Sequence, residues 1–564
     1  MYFDDLSPRK KLDLIVNQMK MDRTPYEPQM RETADFLLPY RLRLNLTDMQ
    51  RGDRKNTRIY DSTALFAVDT LESGLMTMAC DPSSKWFELT TKDPERAEFG
   101  ANKEWLEYVT DSALSVLDNS NDYVTTPTLI GDMAGFGTSV QSIEEHFETV
   151  IHTRTIPNGS FWISQDEWGT VNAVYREYRL TVRQMYLKFG KDGDFSDHVQ
   201  QLIDRSRWEE WVDIGHMVYP NEQYTAMFKS RKNKRYKSCW FELGSYSTAR
   251  QGSAEDKFLF EAGFESFPYL CGRWELTEGD VYAVDCPGMK SLGDNKGLQI
   301  MQKRGAQMLE KGVMPHWLAP IGLKGTLDHG FLPNETSYVQ EREEGKSVRP
   351  AHLVDPGWIK PLGDREEETR ERIYTAFSTR LFRMFDLSPE REMTATEVME
   401  RKRELLGQFP KMYANFQRGV LRPKIDRVLE IMFRQGMIPP APPDLQGHEL
   451  DYKYNGQLAQ AQKMTGVNPI ERVLATFIPM TKDKPDIWDK MDLDQMIDEI
   501  ATRLGVPASC IRDDETVEAI RAERAKAQAA QAQMEMLAQG AKAAKDLGGA
   551  SLDDDNALGA MVAA

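Results

Sequence analysis

The residues that could do chemistry are few, and their spacing suits none of the common chemistries. Five cysteines, Cys80, Cys239, Cys271, Cys286 and Cys510, are scattered, and no two have the spacing of a zinc site or a redox pair. An odd, low number of cysteines fits free thiols in a reducing compartment. The eight histidines include no H-E-x-x-H pair. Asp192, Asp194 and Asp197 crowd together like the start of a calcium loop. The sixth loop position is Asp197, where that loop needs glycine, and the twelfth is Ile203, where it needs a bidentate carboxylate, so a solvated turn is the better reading. Gly288-Met-Lys-Ser-Leu-Gly293 lacks the spacing and the Gly-Lys-Ser/Thr ending of a phosphate-binding loop. Gly135-Phe136-Gly137 is no more than two glycines beside a predicted helix end, and there is no G-x-S-x-G elbow. These absences predict a protein that is not an enzyme and uses no cofactor and no metal.

Two charged clusters remain. Lys229, Arg231, Lys232, Lys234 and Arg235 crowd one predicted loop, either as a solvated hairpin tip or as a contact to a partner protein or nucleic acid. Ser388, Glu390, Arg391 and Glu392 surround Pro389 between two predicted helices, so this stretch continues neither helix and must be a loop. The chain's net charge of −17 argues against wrapping nucleic acid on a broad basic face. It suits a surface past which a polyanion slides, because each cation placed on a phosphate adds grip.

The elements that would position these clusters read in three blocks. The 564 residues allow roughly three or four domains. No apolar run is long enough to span a membrane, and the N-terminus MYFDDLSPRKKLDLIVNQMK carries no secretory pattern. Apolar periodicity predicts helices over 6–40, 62–79 (with Asp61 or Ser62 as cap) and 101–117. From 138 to 288 the pattern is β-rich. It holds a strand ending at Ile156, a hairpin from Phe161 to Tyr178 turning at Asp166–Gly169, and strands near 208–219, 237–246 and 257–261. Within this block Thr181 and Gln184 form a capping box that opens a short helix ending at Gly190.

Helices then return. One covers 294–311, with Leu298, Met301, Gly305 and Met308 on one face. About fifty residues rich in Gly, Pro and charge follow, and a second helix runs over 364–385 with Asp364 as cap. A third opens at the capping box Thr394–Glu397 and is kinked at Pro410 and Pro423. The rest is helical, with an Ala-rich run at 521–545 and a small, acidic, disordered tail. There are no internal repeats.

Several segments together resemble the head-to-tail connector (portal) family of short-tailed, T7-like bacteriophages. They are Tyr60-Asp-Ser-Thr-Ala with Leu71-Glu-Ser-Gly-Leu75, Asp132-Met-Ala-Gly-Phe-Gly-Thr138, Trp168-Gly169 with Tyr175-Arg176-Glu177, Arg273-Trp274 with Gly279-Asp-Val-Tyr282 and Pro287-Gly288, Met393-Thr-Ala-Thr-Glu-Val398 with Arg401, and Tyr454-Asn-Gly-Gln-Leu-Ala459. Their order covers about residues 30–465, and beyond that the likeness fades.

The resemblance implies an α+β portal fold. Its parts would be a mixed α/β wing (1–288), a helical stem pair (289–312 and 363–385) bracketing a small clip insertion (313–362), a channel loop (386–393), a long kinked wing helix with its return segment (394–455), a helical C-terminal crown (456–545) and a disordered tail (546–564). It also implies a homo-oligomer of twelve copies at one capsid vertex of the virion, assembled in the host cytoplasm, conducting double-stranded DNA during packaging and ejection. The implied partners are the terminase motor, a tail adaptor, and the major capsid and scaffolding proteins, with no membrane. Ser388, Glu390, Arg391 and Glu392 would then face the channel, and the basic loop would touch another capsid protein or DNA. The alternative is another structural virion protein, an internal core or tail component without a DNA channel.

Overall fold

Leu12, Val16 and Met19 recur at helical spacing, and they are the buried face of α1 (Pro8–Arg23). The computed structural model of the protein describes residues 7–47, 52, 54–93, 100–190, 193–225, 227, 230–243, 258–315, 317–321, 336–339, 349–350, 355–383, 410–455, 495–497, 517, 519–531, 534 and 536. After α1 come α2 (Glu27–Phe36), α3 (Thr63–Ala79), β1 (Phe87–Thr91), α4 (Gly100–Asn119) and α5 (Asp122–Phe136). α3 starts where expected: the Asp61 carboxylate accepts a hydrogen bond from the Thr63 amide at 2.8 Å.

The β-rich block holds β2 (Thr138–His146), β3 (Val150–Ile156), β4 (Phe161–Gln165), β5 (Val171–Thr181), α6 (Val182–Phe189), α7 (Asp197–Asp204), β6 (Trp211–Pro220), β7 (Tyr236–Glu242), β8 (Phe260–Phe264) and β9 (Tyr269–Arg273). Both halves of the expected capping box form at α6: the Thr181 hydroxyl accepts from the Gln184 amide and the Gln184 side chain accepts from the Thr181 amide. α7 departs from the expected turn. The Ser196 hydroxyl accepts from the Val199 amide and opens a helix, with Asp197 on its positive end.

β4 to β8 form an antiparallel five-stranded meander, and β3-β2-β9 a three-stranded sheet. Side chains alternate across the meander. Cys239 and Phe241 of β7 join Met217 and Tyr175 beneath α1, while Trp240 joins Val212 and Ile214 beneath α6 and α7. This sheet is therefore covered on both faces by its own chain.

Next come α8 (Pro287–Val313), three short strands, β10 (Trp317–Pro320), β11 (Thr336–Val339) and β12 (Arg349–Pro350), then α9 (Ile359–Ala376) and α10 (Thr379–Arg383). The three strands pair with β10 in the centre, a feature the Gly- and Pro-rich composition hid. α9 begins at Ile359, before the expected cap Asp364, which lies inside the helix. Pro361 sits in its first turn, where a missing amide costs nothing, so the helix can start within the Gly- and Pro-rich stretch. The helix also breaks early, at Ser378, whose φ of +53° is left-handed.

The expected kinked helix is described from Pro410 onward, as α11 (Pro410–Phe416), a wide π turn (Gln417–Leu421) and α12 (Arg422–Arg434), followed by β13 (Leu450–Tyr454). Pro423 has no N–H and would collide with the Gly419 carbonyl in a plain α-helix, and the wide turn removes both conflicts. A Cβ on Gly419 would lie 2.4 Å from the Cys271 carbonyl oxygen, so glycine here lets the turn lie against β9.

The chain divides into two compact units. The larger comprises Met1–Glu88, Val109–Pro440 and Tyr452–Thr465, and the smaller comprises Leu89–Tyr108, Ala441–Asp451 and Gly466–Ala564. In the smaller unit Asn102, Trp105 and Leu106 of α4 are buried, and 521–531, part of the expected Ala-rich run, is helical and exposed. No described helix is long and apolar enough to cross a membrane.

Candidate functional site

α8 and α9 run antiparallel: Asp294 pairs with Arg372 (3.5 Å), Gln302 donates to Glu366 (2.8 Å), and Gly305 lies against Leu362. One end of the pair is locked into the larger unit. The Gln299 side-chain oxygen accepts from the Tyr60 and Asp61 amides at 2.6 and 2.8 Å, and its Nε2 donates to the Asp61 carbonyl. Asn295 donates to the Phe36 carbonyl, and Lys296 pairs with Glu32 at 2.6 Å. Arg370 donates through Nε and one terminal nitrogen to Asp61 Oδ2, at 3.1 and 3.0 Å. Burial works against ionisation of Asp61, but hydrogen bonds from Thr63 and Arg370 outweigh it and hold the carboxyl below its usual range. At the start of α8 a Cβ on Gly288 would stand 2.4 Å from the Gly135 carbonyl oxygen, so α5 and α8 touch backbone to backbone.

The other end of the pair is unfinished. Leu309, Val313 and Met314 on α8 and its exit are 52%, 78% and 50% exposed, and Trp358 and Ile359 at the start of α9 are 66% and 46% exposed. Exposed apolar groups at adjoining helix ends form the kind of surface on which a partner can dock.

Two further joints tie distant segments of the larger unit together. Arg41 bridges Glu72 of α3 (3.1 Å) and Asp132 of α5 (3.4 Å). Burial raises the Asp132 carboxyl to about 7 despite Arg41, and raises Glu72 as well. Lys424 of α12 donates to Asp122 (2.8 Å) and Thr126 (2.7 Å), with both members of the ion pair 1% exposed.

The channel-loop candidates Ser388, Glu390, Arg391 and Glu392, and Lys229 of the basic loop, lie outside the described residues. The other basic-loop residues connect β6 to β7, and most are engaged locally. Arg231 lies over the Phe260 ring (4.0 Å), Lys232 pairs with Glu261, Lys234 pairs with Glu265 (3.8 Å), and the Arg235 carbonyl accepts from the Asn221 amide. The four described cysteines are buried, and burial pushes each thiol up to about 12, so none is a nucleophile at neutral pH. Among the described residues no cluster of three or more His, Cys, Asp or Glu could hold a metal ion. Sequence reasoning missed the Asp61–Arg370–Gln299 joint. Asp61 was legible only as a candidate helix cap, and nothing local pointed Gln299 or Arg370 toward it.

The helix pair is locked into the larger unit at one end and carries exposed apolar groups at the other. Comparison with known proteins shows the class of protein to which the chain belongs. The family model for bacteriophage head to tail connecting proteins matches residues 9–511. The portal protein of Salmonella phage epsilon15 is 36% identical over 544 residues, covering 96% of each chain. The probable portal protein of Bordetella phage BPP-1 is 33% identical over 541 residues, covering 96% of this chain and 95% of its own. Among solved structures, a chain in the virion of a native gene transfer agent particle aligns with a TM-score of 0.30 at 11% identity, covering 74% of this chain and 86% of its own. A chain in the neck of the empty particle aligns at 0.29 and 11%, covering 73% and 86%. Scores this low say nothing further about the fold.

This chain belongs to the bacteriophage head-to-tail connecting protein family. It is a structural protein of the phage head-to-tail junction, not an enzyme. The match runs from residue 9 to residue 511, past residue 465 where the sequence motifs give out.

Proposed function

We propose that twelve copies of this chain close into a ring at one capsid vertex, and that double-stranded DNA passes through its centre during packaging and ejection. In this reading 1–288 is the wing, 289–312 and 363–385 the stem pair, 313–362 the clip, 386–393 the channel loop, 394–455 the kinked helix and its return, 456–545 the crown and 546–564 a loose tail. The clip docks the terminase motor and later the tail adaptor. The basic loop of Lys229, Arg231, Lys232, Lys234 and Arg235 touches another capsid protein or packaged DNA.

The observation that carries the proposal is the exposed apolar end of the α8–α9 pair, made of Leu309, Val313, Met314, Trp358 and Ile359. A ring supplies a neighbour for this surface on every copy, and closed symmetry leaves none of it bare. The net charge of −17 supports passive conduction, because anionic walls do not hold a phosphate backbone.

Two-dimensional class averages of the purified chain test the reading: closed rings with a central hole are expected without nucleotide or metal. Native mass spectrometry showing a monomer alone at micromolar concentration sinks it. Arg391→Glu is expected to leave rings intact while lowering the DNA retained in assembled heads. Retention equal to the parent's would remove Arg391 from the channel.

A further inference from the structure

A cavity of about 740 Å³ in the larger unit is not part of the helix pair. It opens beside the five-stranded meander, between β3, β5, α6 and the segment that passes Arg43. Five cationic side chains line it, Arg43, Arg154, Arg176, Arg179 and Lys188, against two carboxylates, Glu144 and Glu177. The carboxylates are already committed. Glu177 accepts from Lys20 at 2.5 Å and from the Tyr175 hydroxyl at 2.8 Å, and Glu144 pairs with Arg176 at 3.4 Å. Arg179 is held by Asp213 at 2.6 Å. Arg43, Arg154 and Lys188 have no carboxylate partner among the described residues, and the buried Nε of Arg43 has no hydrogen-bond partner there.

Unmatched cations facing one cavity, on a chain of net charge −17, make a local trap for anions. Burial resists ionisation of Glu144, yet Arg176, Lys188 and Arg154 outweigh it and hold the carboxyl below its usual range, which shows how positive the cavity is. The volume falls in the range of small-ligand sites, roughly 300–1,000 Å³. The cations come from a loop, two strands and a helix, so they surround a ligand on several sides and suit one with more than one anionic group. Guanidinium forks match phosphate oxygens in pairs.

We infer that this cavity binds a small polyanion carrying two or more phosphate groups. Inside the particle such phosphates have two sources, a free polyphosphate or the end of a nucleic-acid strand. The test uses the full-length chain and isothermal titration with pyrophosphate. One saturable site per chain is expected. Arg154→Glu with Lys188→Glu is expected to weaken binding by at least about tenfold. Both side chains are exposed, so the variant keeps its fold, which an unchanged urea midpoint would verify. Arg43→Ala, which removes the unpartnered donor, is expected to weaken binding at constant stability. Lys10→Glu with Arg205→Glu makes the same charge change at exposed positions elsewhere and is expected to leave affinity within about twofold. Displacement of pyrophosphate by a short oligothymidylate assigns the source to strand phosphates, and failure to displace assigns it to a free polyphosphate. Either outcome supports the site. No saturable heat with pyrophosphate at low salt, or equal loss in the control variant, overturns it.

Discussion

The five-stranded meander and the α8–α9 pair are held together in opposite ways. The meander is complete within one chain. Phe241 is 2% exposed, stacks on Tyr175 with 5.9 Å between ring centroids, and carries the Arg9 guanidinium 3.5 Å above its ring. The helix pair is anchored by polar joints at one end and presents apolar side chains to water at the other. The difference shows where the chain stores stability and where it stores assembly. Burial finished by the chain itself sets the folding free energy, and burial left unfinished sets the affinity for a neighbour.

Substitutions can break this contrast or sharpen it. Phe241→Ala empties part of the buried core beneath α1 and is expected to cost about 3–5 kcal/mol, seen as a lower urea midpoint. A loss below about 1 kcal/mol would mean that the meander is not the stabilising core.

An intermediate effect belongs to the joint between α3 and α5. The folded Asp132 carboxyl, near 7, lies above its unfolded value, so the folded state holds more protons across the interval between them. Its contribution to stability is complete at pH below the unfolded value and is lost as pH rises toward 7. Asp132→Asn is expected to flatten the fall in stability between about pH 4 and 7 in urea titrations. An unchanged slope would mean that Arg41 keeps the carboxylate ionised throughout.

The smallest change in stability and the clearest change in assembly are expected from one variant, Leu309→Ser with Val313→Ser. Both side chains already face water, so the subunit's stability should move by no more than about 0.5 kcal/mol. Rings should nevertheless disappear from sedimentation profiles. Intact rings would place the apolar end outside the subunit interface and weaken the proposed assembly.

Much of the meander was legible because its signals are local: a capping box at Thr181 and Gln184, and a hairpin pattern from Phe161 to Tyr178 with turn residues at Asp166–Gly169. The α7 helix was also readable, since Ser196 is an ordinary cap, but the neighbouring aspartates drew attention instead. β10, β11 and β12 were not readable, because they are very short and lie in a Gly- and Pro-rich stretch. The site was least legible of all. Asp61 and Arg370 are 309 positions apart, and no local pattern pairs them. The resemblance carried more than periodicity did here. Asp61, Glu72, Asp132, Gly135 and Gly288 all belong to its motifs, and each sits at a joint between distant segments. The motifs of this family are therefore in large part a record of how the subunit is bolted together.

The π turn at Gln417–Leu421 can be restated in the language of insertions and deletions. A π turn holds one residue more than the α turn it replaces, and one residue advances the direction of every later side chain by roughly 100°. The helix carries that extra residue without losing its path. The buried positions Ile425, Val428 and Met432 face inward only because the extra residue is counted. Deleting any one of 417–421 would give a tidier helix with its apolar stripe turned away from its neighbours, so this segment can change its residue types more readily than its length.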